Sequence, residues 1–577
     1  MIFLLLSLVC IKYAAAQANV TLQLGNTTLN GVQALGGLGE FYGGIPFAEP
    51  PVGQRRLKSP ILKTVLNNTV FNASNYGPGC FQPHLDAIEP FVQFSEDCLT
   101  INVIRPTGLQ PNSSLPVMAW IYGGGFTGGF SLLFPGDALA LLGILRGTPI
   151  IFVSFNYRLG PLGFPQGAEA QNQSALNLGL QDQIAALEWI QANIGAFGGD
   201  RTKVTVFGES AGAISIATHM LKPSFANLAR ATILESGSAG TVLLSNATRR
   251  QSDWDTFVGA VPECFQQSGT NDTFQCLRLA PSESMLKAML TFAEISNGEQ
   301  FPWIPTYDGV NGVLPDLPSE IIRRGDFAKI PFIAGTNLDE GTGFTPKGVQ
   351  STAGIKSLIV ANFTPSPLGP DVLSQTADAF LIAYPDDPAS GSPFNTGNNT
   401  FGHSSQYKRA ATLEGDIAFQ SQRRFLQEHA TAQGVKNFGY LFTDPVIPLG
   451  DLSSPPEDGV AHGSELLYVF GFVAIKDLIC AVVPPEWSDV CKQLVAPIPA
   501  SSVSLSASMV DYWLSFVTSL DPNDGRGSTP NRQNWTAYTT TNAFVLQLNG
   551  TNTTMIRDNY RAEQIALINN NTRVLNR

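Results

Sequence analysis

The sequence predicts an α/β fold on a largely parallel sheet, and three observations point there. Short runs that are apolar throughout recur along the chain, as strands covered on both faces require. Stretches with apolar residues at helical spacing alternate with these runs. One run passes straight into helical sequence through a serine fenced by glycines.

The strand candidates, in order, are VMAWIY from Val117, IIFVSFNY from Ile150, VTVFG from Val204, ATILES from Ala231, FIAGT from Phe332 and FGYLF from Phe438. Between the second and third stands LGLQDQIAALEWIQANI, where Leu180, Ile184, Leu187, Ile190 and Ile194 share one helical face. SASMVDYWLSFVTSLDPN, from Ser506, reads as a further amphipathic helix of the core. No internal repeat is evident, and no linker is long enough to separate domains.

Bulk properties narrow the class. Hydrophobic residues are 44% and charged residues 14%, the balance of a globular core rather than a disordered chain. A net charge of −12 without any long basic run argues against nucleic acid as a partner. The opening MIFLLLSLVCIKYAAAQ is too short in its apolar part to span a bilayer and leads into a small-residue cleavage pattern. Residues 1–16 are therefore expected to be a secretory signal peptide and 17–577 the mature domain, the alternative being a buried N-terminal helix. No other stretch is apolar for long enough to cross a membrane. The six cysteines after Cys10 fall into close couples, Cys80–Cys98, Cys264–Cys276 and Cys480–Cys491, and local closure favours that pairing. Sequons recur, among them those at Asn26, Asn112, Asn246, Asn362 and Asn534, so N-glycans are expected on a secreted chain.

The stretch VTVFGESAGAIS carries the chemistry. A serine hydroxyl becomes a useful nucleophile only when a base takes its proton and the side chain stands clear of the sheet. A sharp strand-to-helix turn achieves this, and strand and helix then approach so closely that side chains at the flanks would clash. Gly208 and Gly212 about Ser210 meet that need, in the pattern G-x-S-x-G. The turn also places the Ala211 N–H at a helix start, where it can hold an oxyanion. Upstream, MAWIYGGGFTGG sets Gly123, Gly124 and Gly125 directly after a strand, where bare backbone N–H groups can approach a carbonyl oxygen.

These segments resemble the type-B carboxylesterase/lipase family, which includes cholinesterases and secreted fungal lipases. The likeness is carried by GIPFAEPPVGQRRLKSP from Gly44, SEDCLTINV from Ser95, NYRLGPLGF from Asn156, NLGLQDQIAALEWIQANIGAFGGD from Asn177 and FGESAG from Phe207. It covers nearly the whole mature chain and is strongest to the fungal branch. It implies the α/β-hydrolase fold and a single large domain with insertions, against the length prior of about four domains. It also implies a carboxylic ester hydrolase without metal or organic cofactor, acting on a small-molecule or lipid ester.

The triad order in this fold is serine, acid, histidine. His84 lies upstream of Ser210, His219 sits in the helix after the elbow, and His403 and His429 lie in or beside polar helical stretches. His462, in GVAHGSELLYVFG, matches the segment that carries the family's catalytic histidine and is assigned as general base. The resemblance places the triad acid at Glu340, in the DEGT segment, with Asp339 pointing elsewhere. Glu209 reads as a buried structural carboxylate. Gly124, Gly125 and Ala211 are expected to supply the oxyanion N–H groups, and Ser236 matches a supporting serine near the triad acid. By the same resemblance Arg56 pairs with Glu96 and Arg158 with Asp182.

Specificity is less legible. The family's lid is the loop closed by the first disulfide, and here it is only FQPHLDAIEPFVQFSED. It carries Phe91 and Phe94 on a greasy rim but no tryptophan to hold a quaternary ammonium, which argues against choline esters. Phe301 and Trp303 stand where relatives line the acyl pocket, and Phe126 is expected to face the same cleft. The alternative is that all are plain core aromatics. The function expected is hydrolysis of apolar esters with esterase to lipase-like breadth. The alternatives are an amidase or lactonase with the same triad, or a non-catalytic binding protein of the same fold.

Overall fold

Apolar strands buried on both faces need a parallel neighbour on each side, and seven strands here satisfy one another in that way. In spatial order they are Ile151–Phe155, Leu115–Ile121, Gly199–Glu209, Ala231–Glu235, Phe332–Asn337, Asn437–Phe442 and Phe544–Leu548. The computed structural model describes residues 18–577 apart from 84–91, 112, 296–300, 446, 448–454, 483–488, 490 and 494. Antiparallel strands extend this run at both edges, through Thr100–Pro106 to Asn19–Leu24 on one side and through Thr554–Arg557 on the other. The six apolar runs expected as strands all lie in the parallel part. The seventh parallel strand and the antiparallel flank were not anticipated.

Helices cover both faces. Leu178–Asn193 is buried more widely than one face, with Asp182 fully enclosed and Ile184 only half-buried. The reason is Arg158, whose guanidinium and backbone N–H both bond Asp182, the shortest contact being 2.7 Å. Ala500–Ser519 brings Trp513 against the sheet, where its Nε1 donates to Glu235 at 2.7 Å. Within the main core, Trp120 lies 4.6 Å from Phe207 and 4.9 Å from Phe470, ring centre to ring centre. A second apolar cluster sits beneath the helices Thr352–Phe363 and Pro370–Ala383.

Cross-links tie the periphery to this frame. Disulfides join Cys80 to Cys98, Cys264 to Cys276 and Cys480 to Cys491. Arg56 and Glu96 form a buried pair at 2.5 Å, and Arg56 also donates to the carbonyl of Ala280. Removing one partner of such a pair leaves an uncompensated buried charge, so these pairs constrain which arrangement of the chain is allowed. Among the described residues no helix is long and apolar enough to cross a membrane.

Candidate active site

The strand Gly199–Glu209 and the helix Ala211–Met220 meet at Ser210, which adopts φ 55° and ψ −126°. A non-glycine residue in such backbone costs about 1–3 kcal/mol and persists only where its surroundings enforce it. Enforcement here comes from both neighbours: the Ser210 N–H donates to Glu235 O at 2.9 Å, and its carbonyl accepts from Ile214 N at 2.8 Å. The flanking glycines are sterically required. A Cβ on Gly208 would stand 2.6 Å from the Ile121 carbonyl oxygen, and one on Gly212 would overlap that same oxygen.

The glycine loop closes over the elbow. A Cβ on Gly123 would lie 2.8 Å from the Ser210 Cβ, so this loop and the serine are in direct apposition. Gly124 and Gly125 take φ of 110° and 62°, which side chains rarely tolerate. The Gly124 carbonyl accepts from Thr127 and Gly128 N–H groups, which fixes the turn. Among the described residues the N–H groups of Gly124 and Gly125 bond no other backbone carbonyl, leaving them open to an incoming oxygen.

Glu340 and His462 approach the elbow from the end of a third strand and from a later loop. Glu340 follows Phe332–Asn337 and is 1% exposed; its Oε1 accepts from Asn337 N at 2.7 Å, and its Oε2 lies 2.7 Å from His462 Nδ1. Asp339 turns away and accepts from Ser392 Oγ and from the N–H groups of Phe394 and Val460, tying down the loop that carries His462. The His462 ring packs between Phe344 and Phe419, each 4.9 Å away. The other histidines that fall among the described residues lie elsewhere. His219 is buried with Nε2 2.8 Å from Gln183 Oε1, and burial drives its pKa down to about 3, so it is a neutral structural residue. His403 stacks beside Tyr407 and His429 on Phe425. His84 lies outside the described residues.

Glu209 is buried as expected, and its Oε1 stands 3.1 Å from His462 Nε2, a proximity the sequence did not indicate. His462 Nε2 has no hydrogen bond among the described residues. Two more glutamates stand behind this pair. Glu465 accepts from Asn337 Nδ2 at 2.5 Å and from Ser236 Oγ at 3.3 Å, so among the described residues Ser236 connects to Glu340 through Glu465 and Asn337. Glu235 is fully buried on Trp513. Burial, followed by repulsion among these carboxylates, pushes Glu209 up to about 8, Glu465 up to about 7 and Glu235 well above the usual range. His462 is pulled down by burial, but the Glu209, Glu340 and Glu465 carboxylates outweigh this and hold it up at about 9. The signal was present in the sequence, as a glutamate ending the apolar run ATILE and another three residues after His462.

The aromatic residues divide. Phe301 lies directly on the glycine loop, where a Cβ on Gly125 would run into its ring, and its ring centre is 5.8 Å from Phe344. Trp303 corrects the expectation: it is 2% exposed and packs among Trp254, Phe257 and Phe292, because the helix Ser282–Ile295 covers it. Phe126 is also interior, 1% exposed with its ring on Phe164, since its φ of 62° turns the side chain into the core. Phe94 packs on Phe130 and lines a separate concavity with Gly44 and Pro46. Phe91 lies outside the described residues.

The carboxylesterase family model matches residues 18–568. This chain belongs to the carboxylesterase family. The carboxylesterase is 31% identical to Lipase 2 of Geotrichum candidum over 95% of this chain and 96% of the relative. It is 33% identical to Secreted lipase 1 of Botryotinia fuckeliana (strain B05.10) over 96% and 92%. Its fold matches the crystal structure of Aspergillus niger EstA with a TM-score of 0.78 and 25% identity, over 97% of this chain and 99% of that one. The chain thus has the α/β-hydrolase fold and is a carboxylic ester hydrolase.

Proposed function

We propose that this carboxylesterase cleaves apolar carboxylic esters through an acyl-enzyme on Ser210. The observation that carries the reading is the 2.7 Å contact of Glu340 with His462 Nδ1, beside a serine held at φ 55°. That contact sets the tautomer in which Nε2 is free to accept a proton. Nε2 takes the Ser210 Oγ proton as Oγ bonds to the ester carbonyl carbon. The resulting oxyanion accepts hydrogen bonds from Gly124, Gly125 and Ala211 N–H groups. The carbon–oxygen bond to the alcohol breaks, and the alcohol leaves with the proton from His462. Water then gives a proton to His462 and its oxygen to the acyl carbon, and as the acyl carbon–Oγ bond breaks His462 returns that proton to Ser210 Oγ and the acid departs.

Residues 17–577 act as one catalytic unit, and 1–16 as a signal peptide that directs it out of the cell. Extracellular localisation is supported by the secreted relative and by three disulfides. N-glycans are expected at Asn26, Asn246, Asn362 and Asn534, all exposed, and loss of mass on enzymatic deglycosylation checks this.

The decisive experiment is Ser210→Ala assayed on p-nitrophenyl esters of rising chain length. Loss of about 10⁴-fold or more in kcat is expected. Turnover that survives the substitution, or none in the wild type on any ester, sinks the reading. An emulsified triglyceride, assayed across its solubility limit, separates esterase from lipase.

A further inference from the structure

On its N-terminal side the sheet ends in strands that carry no charge. Among the described residues Asn19–Leu24 pairs only with Thr27–Ala34, and so does the short strand Val70–Asn72, which leaves each with a side that no strand covers. Such an edge is a template for a further strand, and proteins commonly block it with charged side chains or proline. Neither stands here. Residues 18–39 and 64–77 contain no charged residue and no proline, in a chain where charged residues are 14%. The outer strand reads NVTLQL, short, uncharged and β-prone, the composition of segments that pair between chains. Apolar side chains lie open on the neighbouring segment, with Val65 61% and Val70 53% exposed.

What this edge does carry is sequons. Asn19-Val20-Thr21, Asn26-Thr27-Thr28, Asn67-Asn68-Thr69 and Asn72-Ala73-Ser74 all match N-x-S/T, and all four asparagines are exposed. Asn19 opens the outer strand and Asn26 sits in the turn that follows it. Asn67 precedes the short strand and Asn72 ends it. The opposite edge strand, Thr554–Arg557, has a charge of its own in Arg557, and an exposed sequon asparagine, Asn552, stands just before it.

We propose that Asn19, Asn26, Asn67 and Asn72 carry N-glycans and that these sugars replace the missing edge charges, keeping this edge from pairing with a second copy of the chain. The inference rests on the reading of a secreted, N-glycosylated protein. The sugar donor is a lipid-diphosphate-linked oligosaccharide. Each asparagine Nδ2 bonds to the anomeric carbon, the bond from that carbon to the phosphate oxygen breaks, the lipid diphosphate leaves, and Nδ2 gives up one proton. Nothing is oxidised or reduced. A paired strand would have to stand about 4.8 Å from this edge, in space that a branched, hydrated sugar fills.

The test uses the full-length protein secreted from a eukaryotic host. Glycopeptide mapping is expected to find sugar at all four asparagines. Combining Asn19→Gln, Asn26→Gln, Asn67→Gln and Asn72→Gln removes the sugars and should raise the mass in sedimentation velocity to about twice the wild-type value or more, with ester turnover per chain kept. Asn→Asp at the same four positions removes the sugars but adds charge, and should hold the wild-type mass. Asn→Gln at Asn246, Asn362 and Asn534 should hold it too. An edge Gln variant of wild-type mass overturns the proposal. So does an Asp variant, or a variant at the three distant sites, that associates as strongly as the edge Gln variant. If the edge Gln variant is not secreted, endoglycosidase trimming of the folded wild type takes its place, and a protein mass that trimming leaves unchanged overturns the proposal. Mapping separates the two claims. Sugar at the distant sites and none at the four ends the edge proposal and leaves the N-glycan reading standing, whereas sugar at no site ends both.

Discussion

The catalytic centre and a cavity beside it, lined by Phe301 and Phe344, are built in opposite ways. Ser210 and Glu340 sit at or just beyond the ends of parallel strands, and His462 lies in a loop that Val460 ties to Asp339 at one of those ends. The cavity is walled by helices outside the sheet, Thr352–Phe363 and Ser405–Gly415 among them, and by side chains as far apart as Arg249 and Arg577. The reaction is therefore expected to tolerate changes in the wall, whereas the choice of ester is expected to respond to them.

This contrast breaks first at the acid. Glu340→Gln keeps the shape at Asn337 but no longer stabilises the imidazolium on His462, and kcat should fall by about 10³–10⁴-fold. Single-turnover kinetics with folding checked by circular dichroism measures it, and a fall below tenfold would move the acid role elsewhere, Glu209 being the nearest alternative. Next comes the division between aromatic residues. Trp303→Ala should destabilise the fold by about 3–5 kcal/mol in urea unfolding, as for any large buried aromatic, with little effect on chain-length preference. Should it instead change chain-length preference at unchanged stability, the core placement of Trp303 is wrong.

The smallest effect expected is on pH dependence. A histidine held up at about 9 keeps its proton below that pH, and a general base must be empty, so kcat/KM should climb as pH rises towards about 9. Glu209 is the first of the carboxylates that raise it. Glu209→Gln should move the ascending limb to lower pH, by about one unit for a single close carboxylate. A limb that does not move would leave the resting contact between Glu209 and His462 without electrostatic effect.

Much of this protein was legible where the physical demand is local. The strands that flank the elbow are apolar throughout because both faces are covered, and that pattern shows in any window of the chain. Gly208 and Gly212 could be read because the crowding they relieve lies within a few residues of sequence. The N-terminal antiparallel strands were missed because their edge position lets polar and glycine residues interrupt the apolar pattern, as in Thr27–Ala34. Trp303 was left open between pocket and core because burial under another helix leaves no mark on its own neighbours.

The sequence by itself therefore determined the fold class and the strained elbow with its glycines, which depend on apolar pattern and backbone sterics, while Glu340 and His462 were named through the family resemblance. Only the tertiary structure decided that Glu209 faces His462, that Glu235 and Glu465 crowd the same charge, and that Arg249 and Arg577 line one cavity. Those relations join residues tens to hundreds of positions apart, and the electrostatics of a buried group depends on distance in space rather than along the chain.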